Sequence, residues 1–262
     1  MIRSDFHTHT TFCDGKNTAE EMVLSAIERG MTRLGFSMHS ELRYLDGKDV
    51  VEGRSPAYRA EIARLREKYR DKLEILCGVE LELDMQSPID LTVFDYAIGS
   101  VHYLEKDGQT VFVDYDADLW KKEVDELYGG DPIAFAEHYF RNVARLSDRK
   151  INIIGHFDLC AKFNGNGKYF DERDPRYLSA AFGAVDALLP LGIPFEINTG
   201  AIARGLRDRP YPNPDIMRYI GEHGGFVVFN SDSHKAETLC FEFDRWEDEV
   251  RRLVPVADDW RP

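Results

Sequence analysis

The sequence has no Cys-x-x-Cys pair, no long apolar run and no excess of base, and each absence removes a class of function. The four cysteines, Cys13, Cys77, Cys160 and Cys240, are scattered. That argues against a disulfide framework and predicts reduced thiols in a cytoplasmic protein. No stretch approaches the ~20 apolar residues of a membrane span. The first residues carry no secretory leader pattern, so no membrane association is expected. Lys and Arg number 33 against 47 Asp and Glu, a net charge of −14. A groove for long nucleic acid draws much of its affinity from Lys and Arg on phosphates, so that partner is not expected either. A small anionic substrate remains open, provided metal ions supply local positive charge. There is no internal repeat and no low-complexity segment.

What is present begins six residues into the chain. Ile2 to Phe6 have the pattern of a short strand, followed by His7-Thr8-His9. On an extended chain residues two apart share a face, so both imidazoles aim at one point just past the strand. Neutral imidazole is the commonest protein ligand for zinc and iron. Alone, a His-x-His pair is weak evidence, but the chain keeps returning to the same kind of position.

Thr18-Ala19-Glu20-Glu21 has capping-box spacing and opens a helix that Gly30 can stop. Strand-like runs follow at Arg33–Met38, Leu73–Val79, Phe94–Val101, Ile151–Gly155, Ile193–Ile197 and Gly225–Phe229. Helical patterns lie between them, at about 56–70, 117–127, 132–146, 175–189, 214–223 and 243–253. Asp107-Gly108 is a two-residue hairpin signal in the least regular region. Strand and helix alternate seven times, and most strands are near-continuous apolar runs, as when both faces are buried. The expectation is an α/β protein, one domain over residues 1–262, forming a parallel barrel of about seven strands. A chain of 262 residues suits such a barrel, which typically takes about 250.

Six of the eight histidines, His7, His9, His39, His102, His156 and His234, fall where a strand gives way to its loop, and Glu80 and Asp232 occupy equivalent positions. In a parallel barrel those ends lie on one face, where active sites are found. The other two histidines, His138 in a helix and His223 at a helix end, are expected to be structural. Cys13 lies close enough in sequence to be a lesser candidate ligand.

His7-Thr8-His9, Asp14, Met38-His39-Ser40, Gly78-Val79-Glu80, Gly99-Ser100-Val101-His102, Gly155-His156-Phe157-Asp158 and Ser231-Asp232-Ser233-His234 together resemble the polymerase-and-histidinol-phosphatase (PHP) superfamily over essentially the whole chain. Two stretches resemble more specifically the histidinol-phosphate phosphatases of histidine biosynthesis: His156-Phe157-Asp158-Leu159 with Lys162-Phe163, and Glu196-Ile197-Asn198-Thr199 through Arg204 to Tyr211-Pro212-Asn213-Pro214. The resemblance implies a distorted (β/α)7 barrel with three divalent metal ions, zinc, iron or manganese. Residue by residue it places the first ion on His7, His9, Glu80 and Asp232. The second falls to Glu80, His102 and His156, and the third to Asp14, His39 and His234. Position 14 is histidine in some members, and Asp14 shifts preference toward harder cations.

The implied activity is hydrolysis of L-histidinol phosphate to L-histidinol and phosphate by a hydroxide bridging the metals, with Glu80, His102, His156 and Asp232 around the reacting centre. Three carboxylates against three divalent cations leave about three positive charges, and a hydroxide leaves about two, which matches a phosphate monoester dianion. Lys162 and Arg204 are the candidate cationic clamps on the phosphate, Arg204 free of a surface ion pair. Glu41 and Asp158 are candidates for the amine and imidazole of the alcohol. The segment Tyr103–Gly130 is expected to lie over the mouth of the site.

Three other readings fit parts of the pattern. A metal-dependent amidohydrolase also begins with His-x-His but typically bridges its metals with a modified lysine, where Glu80 stands here. A PHP phosphoesterase acting on another small phosphomonoester or a nucleotide would share the metals. A non-catalytic PHP module belongs to larger chains.

Overall fold

The computed structural model describes residues 2–40, 50–85 and 89–262. Its centre is a seven-stranded parallel sheet. In sheet order the strands are β1 (Ser4–Asp5), β2 (Arg33–His39), β3 (Glu74–Glu82), β4 (Tyr96–Ser100), β7 (Ile153–Ile154), β8 (Phe195–Asn198) and β9 (Val227–Asn230). A parallel bridge between Thr8 and Ser233 joins the first strand to the last and closes the sheet into a barrel. The remaining strands, β5 (Tyr103–Lys106) and β6 (Gln109–Phe112), form a separate antiparallel hairpin. Its turn, Asp107-Gly108, has positive φ at both positions, as a tight hairpin turn requires.

Eight helices accompany the strands among the described residues: α1 (Ala19–Glu28), α2 (Val50–Tyr69), α3 (Ala117–Leu127), α4 (Pro132–Ala144), α5 (Pro175–Leu188), α6 (Gly200–Ala203), α7 (Pro214–Glu222) and α8 (Phe243–Leu253). Their starts are encoded locally. Thr18 and Glu21 form the reciprocal capping box at α1. Asp131, Asp174 and Asn213 each cap a helix whose first residue is proline, where the missing N–H is harmless.

Two boundaries depart from the sequence pattern in ways that matter. Helix α2 begins at Val50 rather than at Pro56, which lies exposed inside it. The buried stripe Tyr58, Ile62, Leu65 and Tyr69 anchors the helix, so it continues through the proline despite the lost backbone bond. Strand β3 runs two residues past Glu80, so Glu80 sits within the strand and shares its face with Gly78 and Glu82.

The barrel interior has two storeys. The lower one is a small apolar plug of Phe6, Tyr96, Ile98, Ile153 and Val228, with Trp260 packed edge-on against Phe6 from below. The larger apolar clusters lie outside, between barrel and helices. The upper storey is polar and holds the residues described next. Tyr96 spans the plug, and its hydroxyl donates to the carbonyls of Phe6 and Phe36. A Cβ on Gly35 or Gly78 would collide with the Tyr96 side chain, so glycine is required by close approach at both.

Gly78→Ala is therefore expected to destabilise the protein by about 1–3 kcal/mol through overpacking. Gly183→Ala, on an open face of α5 with nothing within 4 Å, is expected to be neutral or to stabilise by about 0.5–1 kcal/mol. Denaturant midpoints read both, and an unchanged midpoint for Gly78→Ala would contradict the packing described.

Candidate metal centre

All nine side chains singled out as ligands reach the upper storey of the barrel, at the C-terminal ends of the strands. Alternation along β1 and its extension turns His7 and His9 inward while Thr8 turns out, its hydroxyl bonded to the carbonyl of Gly35 at 2.8 Å. His39 is the last residue of β2 and lies opposite Glu80 in the parallel register. His102 and His156 follow β4 and β7, and Asp232 and His234 follow β9. Asp232 is held at φ 49°, a left-handed backbone that a non-glycine residue adopts only when its surroundings fix it.

Glu80 is the focus. Its Oε2 lies 3.2 Å from His7 Nε2, 3.6 Å from His9 Nε2 and 2.9 Å from His39 Nδ1. Its Oε1 lies 2.9 Å from His156 Nε2 and 3.4 Å from His102 Nε2. Asp232 Oδ1 closes one group, 3.2 Å from His9 Nε2 and 3.7 Å from His7 Nε2. A second group forms around Asp14, with His39 Nε2 at 3.6 Å and His234 Nε2 at 3.1 Å. Tetrahedral ligands on bonds of about 2.0–2.1 Å stand about 3.3 Å apart, which is the spacing of these atoms.

The residues present fit divalent cations by a further criterion. His7 Nε2, His9 Nε2 and Glu80 Oε2 are buried, mutually adjacent and without a hydrogen bond of sound geometry among the described residues. Buried polar atoms left this way are rare unless something else satisfies them, and a cation does so for imidazole nitrogen and carboxylate oxygen together.

The opposite nitrogens of the rings explain how the Nε2 atoms are aimed. His7 Nδ1 pairs with Glu196 at 2.7 Å and His102 Nδ1 with Glu82 at 2.8 Å. His234 Nδ1 meets the Asp232 carbonyl at 3.0 Å. His9 Nδ1 lies 3.6 Å from Cys13 Sγ. An acceptor on Nδ1 fixes the tautomer and leaves Nε2 as the donor of a lone pair. Glu196 does more, since it also accepts from the His156 amide, Asn198 and Asn230. Neither Glu82 nor Glu196 had been assigned a role from sequence. The available signal was a charged residue on the inward face of an otherwise apolar strand.

The carboxylates remain ionised although buried. For Glu80 burial opposes the charge, but His39, His7 and His102 hold the pKa well below the usual carboxylate range. Burial likewise opposes Asp232, and Arg204 and His7 outweigh it. Burial lowers His7, yet Glu196, Glu80 and Asp232 together raise it well above an ordinary histidine. His102 is raised in the same way by Glu80, against its own burial. His9 is pushed down to about 3 by burial and by His234 and His39.

Asp14, His39, Glu80, His102, His156, Asp232 and His234 line a cavity of about 920 Å3, with His7 and His9 buried off its lining. Tyr103, Asp114 and Tyr115 also line it, which puts part of the hairpin region at the mouth. Lys162 and Arg204 stand on its wall, but both are ion-paired. Lys162 Nζ donates to Asp114 Oδ2 at 2.8 Å and to its carbonyl at 2.9 Å. Arg204 Nη2 donates to Asp232 Oδ2 at 2.8 Å, so Arg204 does form an ion pair, inside the cavity rather than on the surface.

Asp158 is a correction: it is fully buried away from the cavity, accepts from the Asn213 amide and lies in the field of Arg207. Its side chain therefore cannot meet a substrate there. Glu41 lies outside the described residues. The Cys13 thiol, pushed up to about 12 by burial and by Asp14, lies behind the His9 ring. His138 and His223 are remote from the centre, bonded to the Tyr128 hydroxyl and the Tyr219 carbonyl.

The PHP domain family model matches residues 5–200. A Deinococcus radiodurans protein named probable histidinol-phosphatase is 27% identical over 94% of this chain and 92% of its own length. The Bacillus subtilis histidinol-phosphatase is 25% identical over 93% of this chain and 98% of its own. The fold matches a Lactococcus lactis histidinol phosphate phosphatase, solved with zinc, L-histidinol and phosphate, at a TM-score of 0.70 and 20% identity, covering 97% of this chain and 95% of that one.

Metal ligation requires neutral imidazole, so protons on His7, His39 and His102, all raised by carboxylates against their burial, compete with a cation. The apparent affinity for zinc is expected to fall by about tenfold per pH unit for each competing proton below the raised pKa, and to level off above it. Calorimetric titration at pH 7 in buffers of different ionisation enthalpy reads the protons released. Binding that releases no protons would contradict the electrostatics.

Proposed function

Because the chain belongs to the PHP domain family, we propose that it is a metal-dependent phosphomonoesterase that hydrolyses L-histidinol phosphate to L-histidinol and phosphate. The observation that carries this reading is the convergence of three carboxylates and six imidazoles in one cluster at the floor of a cavity whose wall also bears Arg204 and Lys162. Relatives named for this activity align over nearly the whole chain, and a structural neighbour holds zinc with the alcohol and phosphate products.

In this reading three divalent ions are held, the first by His7, His9, Glu80 and Asp232, the second by Glu80, His102 and His156, the third by Asp14, His39 and His234. Glu80 joins the first two because its oxygens face different groups of imidazoles. Such ions supply Lewis-acid charge for the phosphoryl oxygens and acidify water for attack on phosphorus. The protein's own part is positioning. Glu196 and Glu82 keep His7 and His102 in the ligating tautomer. Arg204, its guanidinium fixed by Asp232, presents its remaining N–H donors to phosphate oxygens in a planar array. Lys162, paired with Asp114, stands on the same wall as the second cationic side chain. Part of the segment Tyr103–Gly130, namely Tyr103, Asp114 and Tyr115, borders the cavity and would favour small substrates.

Steady-state hydrolysis, read as phosphate released from histidinol phosphate and p-nitrophenyl phosphate, as nucleotide released from a dinucleotide and as amine released from an amide substrate, tests the reading. Histidinol phosphate is expected to give the highest kcat/KM, and equal rates on all phosphate esters would overturn the substrate assignment. Glu80→Gln is expected to remove two ions together in elemental analysis, whereas loss of one would show that Glu80 does not bridge.

Arg204→Ala is expected to lower kcat/KM roughly ten- to two-hundredfold, with Arg204→Lys recovering only part. Its bond to Asp232 adds a second effect, weaker retention of metal, which an Arg204 acting on phosphate alone would not show. Full activity in Arg204→Ala would make Lys162 the clamp.

A further inference from the structure

Asp114 is out of place in a site built for phosphate. Among the described residues that line the cavity it is the single carboxylate outside the proposed ligand set. It faces the His102 and His156 side, and burial, which opposes its charge, is outweighed by Lys162 and His102. A carboxylate there repels a phosphate dianion and neutralises the lysine best placed to attract one. Such a group lowers affinity unless the substrate also brings a cation.

The local structure holds Asp114 in position. It follows the hairpin directly, and the amide of the preceding Val113 donates to the His102 carbonyl at 3.0 Å. Lys162 grips both its Oδ2 and its carbonyl, so the side chain is fixed while about a quarter of it stays exposed to the cavity. No hydrogen bond among the described residues engages Oδ1. Tyr115, next in sequence, also lines the cavity, is 54% exposed and rests against Phe112 with ring centroids 5.8 Å apart. A fixed carboxylate oxygen beside an exposed aromatic ring is a pairing that takes an organic cation, by ion pairing and by contact with the ring face.

We propose that Asp114, with Tyr115 beside it, is the specificity-determining subsite for the positively charged alcohol portion of the substrate, an ammonium or imidazolium group. This rests on the proposed phosphomonoesterase function and adds to it the residue that selects cationic esters over neutral ones.

The test uses the metal-replete full-length enzyme and Asp114→Asn, which keeps shape and removes charge. Four quantities are measured: kcat/KM for histidinol phosphate, kcat/KM for p-nitrophenyl phosphate, whose alcohol portion carries no positive charge, and inhibition constants for L-histidinol and inorganic phosphate. The ratio of the two kcat/KM values is expected to fall roughly ten- to hundredfold, chiefly through KM, with the L-histidinol constant weakening in parallel and the phosphate constant not weakening. Tyr115→Ala is expected to move the ratio in the same direction by a smaller factor. Equal loss on both substrates with weakened phosphate inhibition would overturn the proposal, since Asp114 would then act only by holding Lys162. An unchanged ratio would overturn it as well. A wild-type enzyme showing no preference for histidinol phosphate would instead overturn the function on which the subsite rests, and the subsite with it.

Discussion

The carboxylate of Glu80 touches five imidazoles, and the organisation of the upper barrel follows from that. Three rings approach Oε2 and two approach Oε1. A single buried charge cannot satisfy so many ring nitrogens by hydrogen bonding, because each oxygen has room for about two such bonds. Divalent cations would resolve the crowding by accepting lone pairs from imidazole and oxygen together. Ser100 completes the arrangement by donating to Oε1 at 2.8 Å, which fixes the rotation of the carboxylate plane. The placement of Glu80 two residues inside β3 matters here. A strand residue is held by hydrogen bonds on both sides, so the group shared by two proposed ions is the one with least freedom.

Around this centre lies a ring of acceptors that never reaches the proposed ions. Glu196, Glu82 and the Asp232 carbonyl each take the outward nitrogen of a histidine. Because Glu196 and Glu82 orient His7 and His102, substitutions of these two carboxylates would act on metal affinity while leaving the proposed ligands intact. Cations on the cavity wall follow the same rule of compensation. Arg204 and Lys162 are held by Asp232 and Asp114, so their guanidinium and ammonium groups are positioned before any anion arrives. Preorganised charges lose less conformational freedom when a ligand binds.

Much of this was legible in the sequence, for a definite reason. Parallel strands separated by helices put all strand exits on one face, so histidines at successive exits must converge whatever the details of packing. Helix starts were legible too, because capping side chains and proline act on backbone groups within three residues. Boundaries failed where distant packing overrode a local signal. The buried stripe of α2 carried the helix through Pro56, and pairing with β2 and β4 carried β3 beyond Glu80. Asp158 failed for the same kind of reason. Two residues after His156 in sequence, it is buried off the cavity, where Asn213 and Arg207 meet it.

The sequence by itself determined the alternation of strand and helix, the inward face of His7 and His9, and the set of side chains able to meet at the barrel's mouth, since each depends on periodicity and on residue type. Only the tertiary structure decided which carboxylate oxygen faces which imidazole, that Glu82 and Glu196 stand behind the ring, and that Arg204 and Lys162 are each paired with an aspartate. Those pairings join residues as far apart in the chain as His7 and Asp232. They depend on the closing bridge between Thr8 and Ser233, which brings the two ends of the chain side by side and which no local pattern encodes.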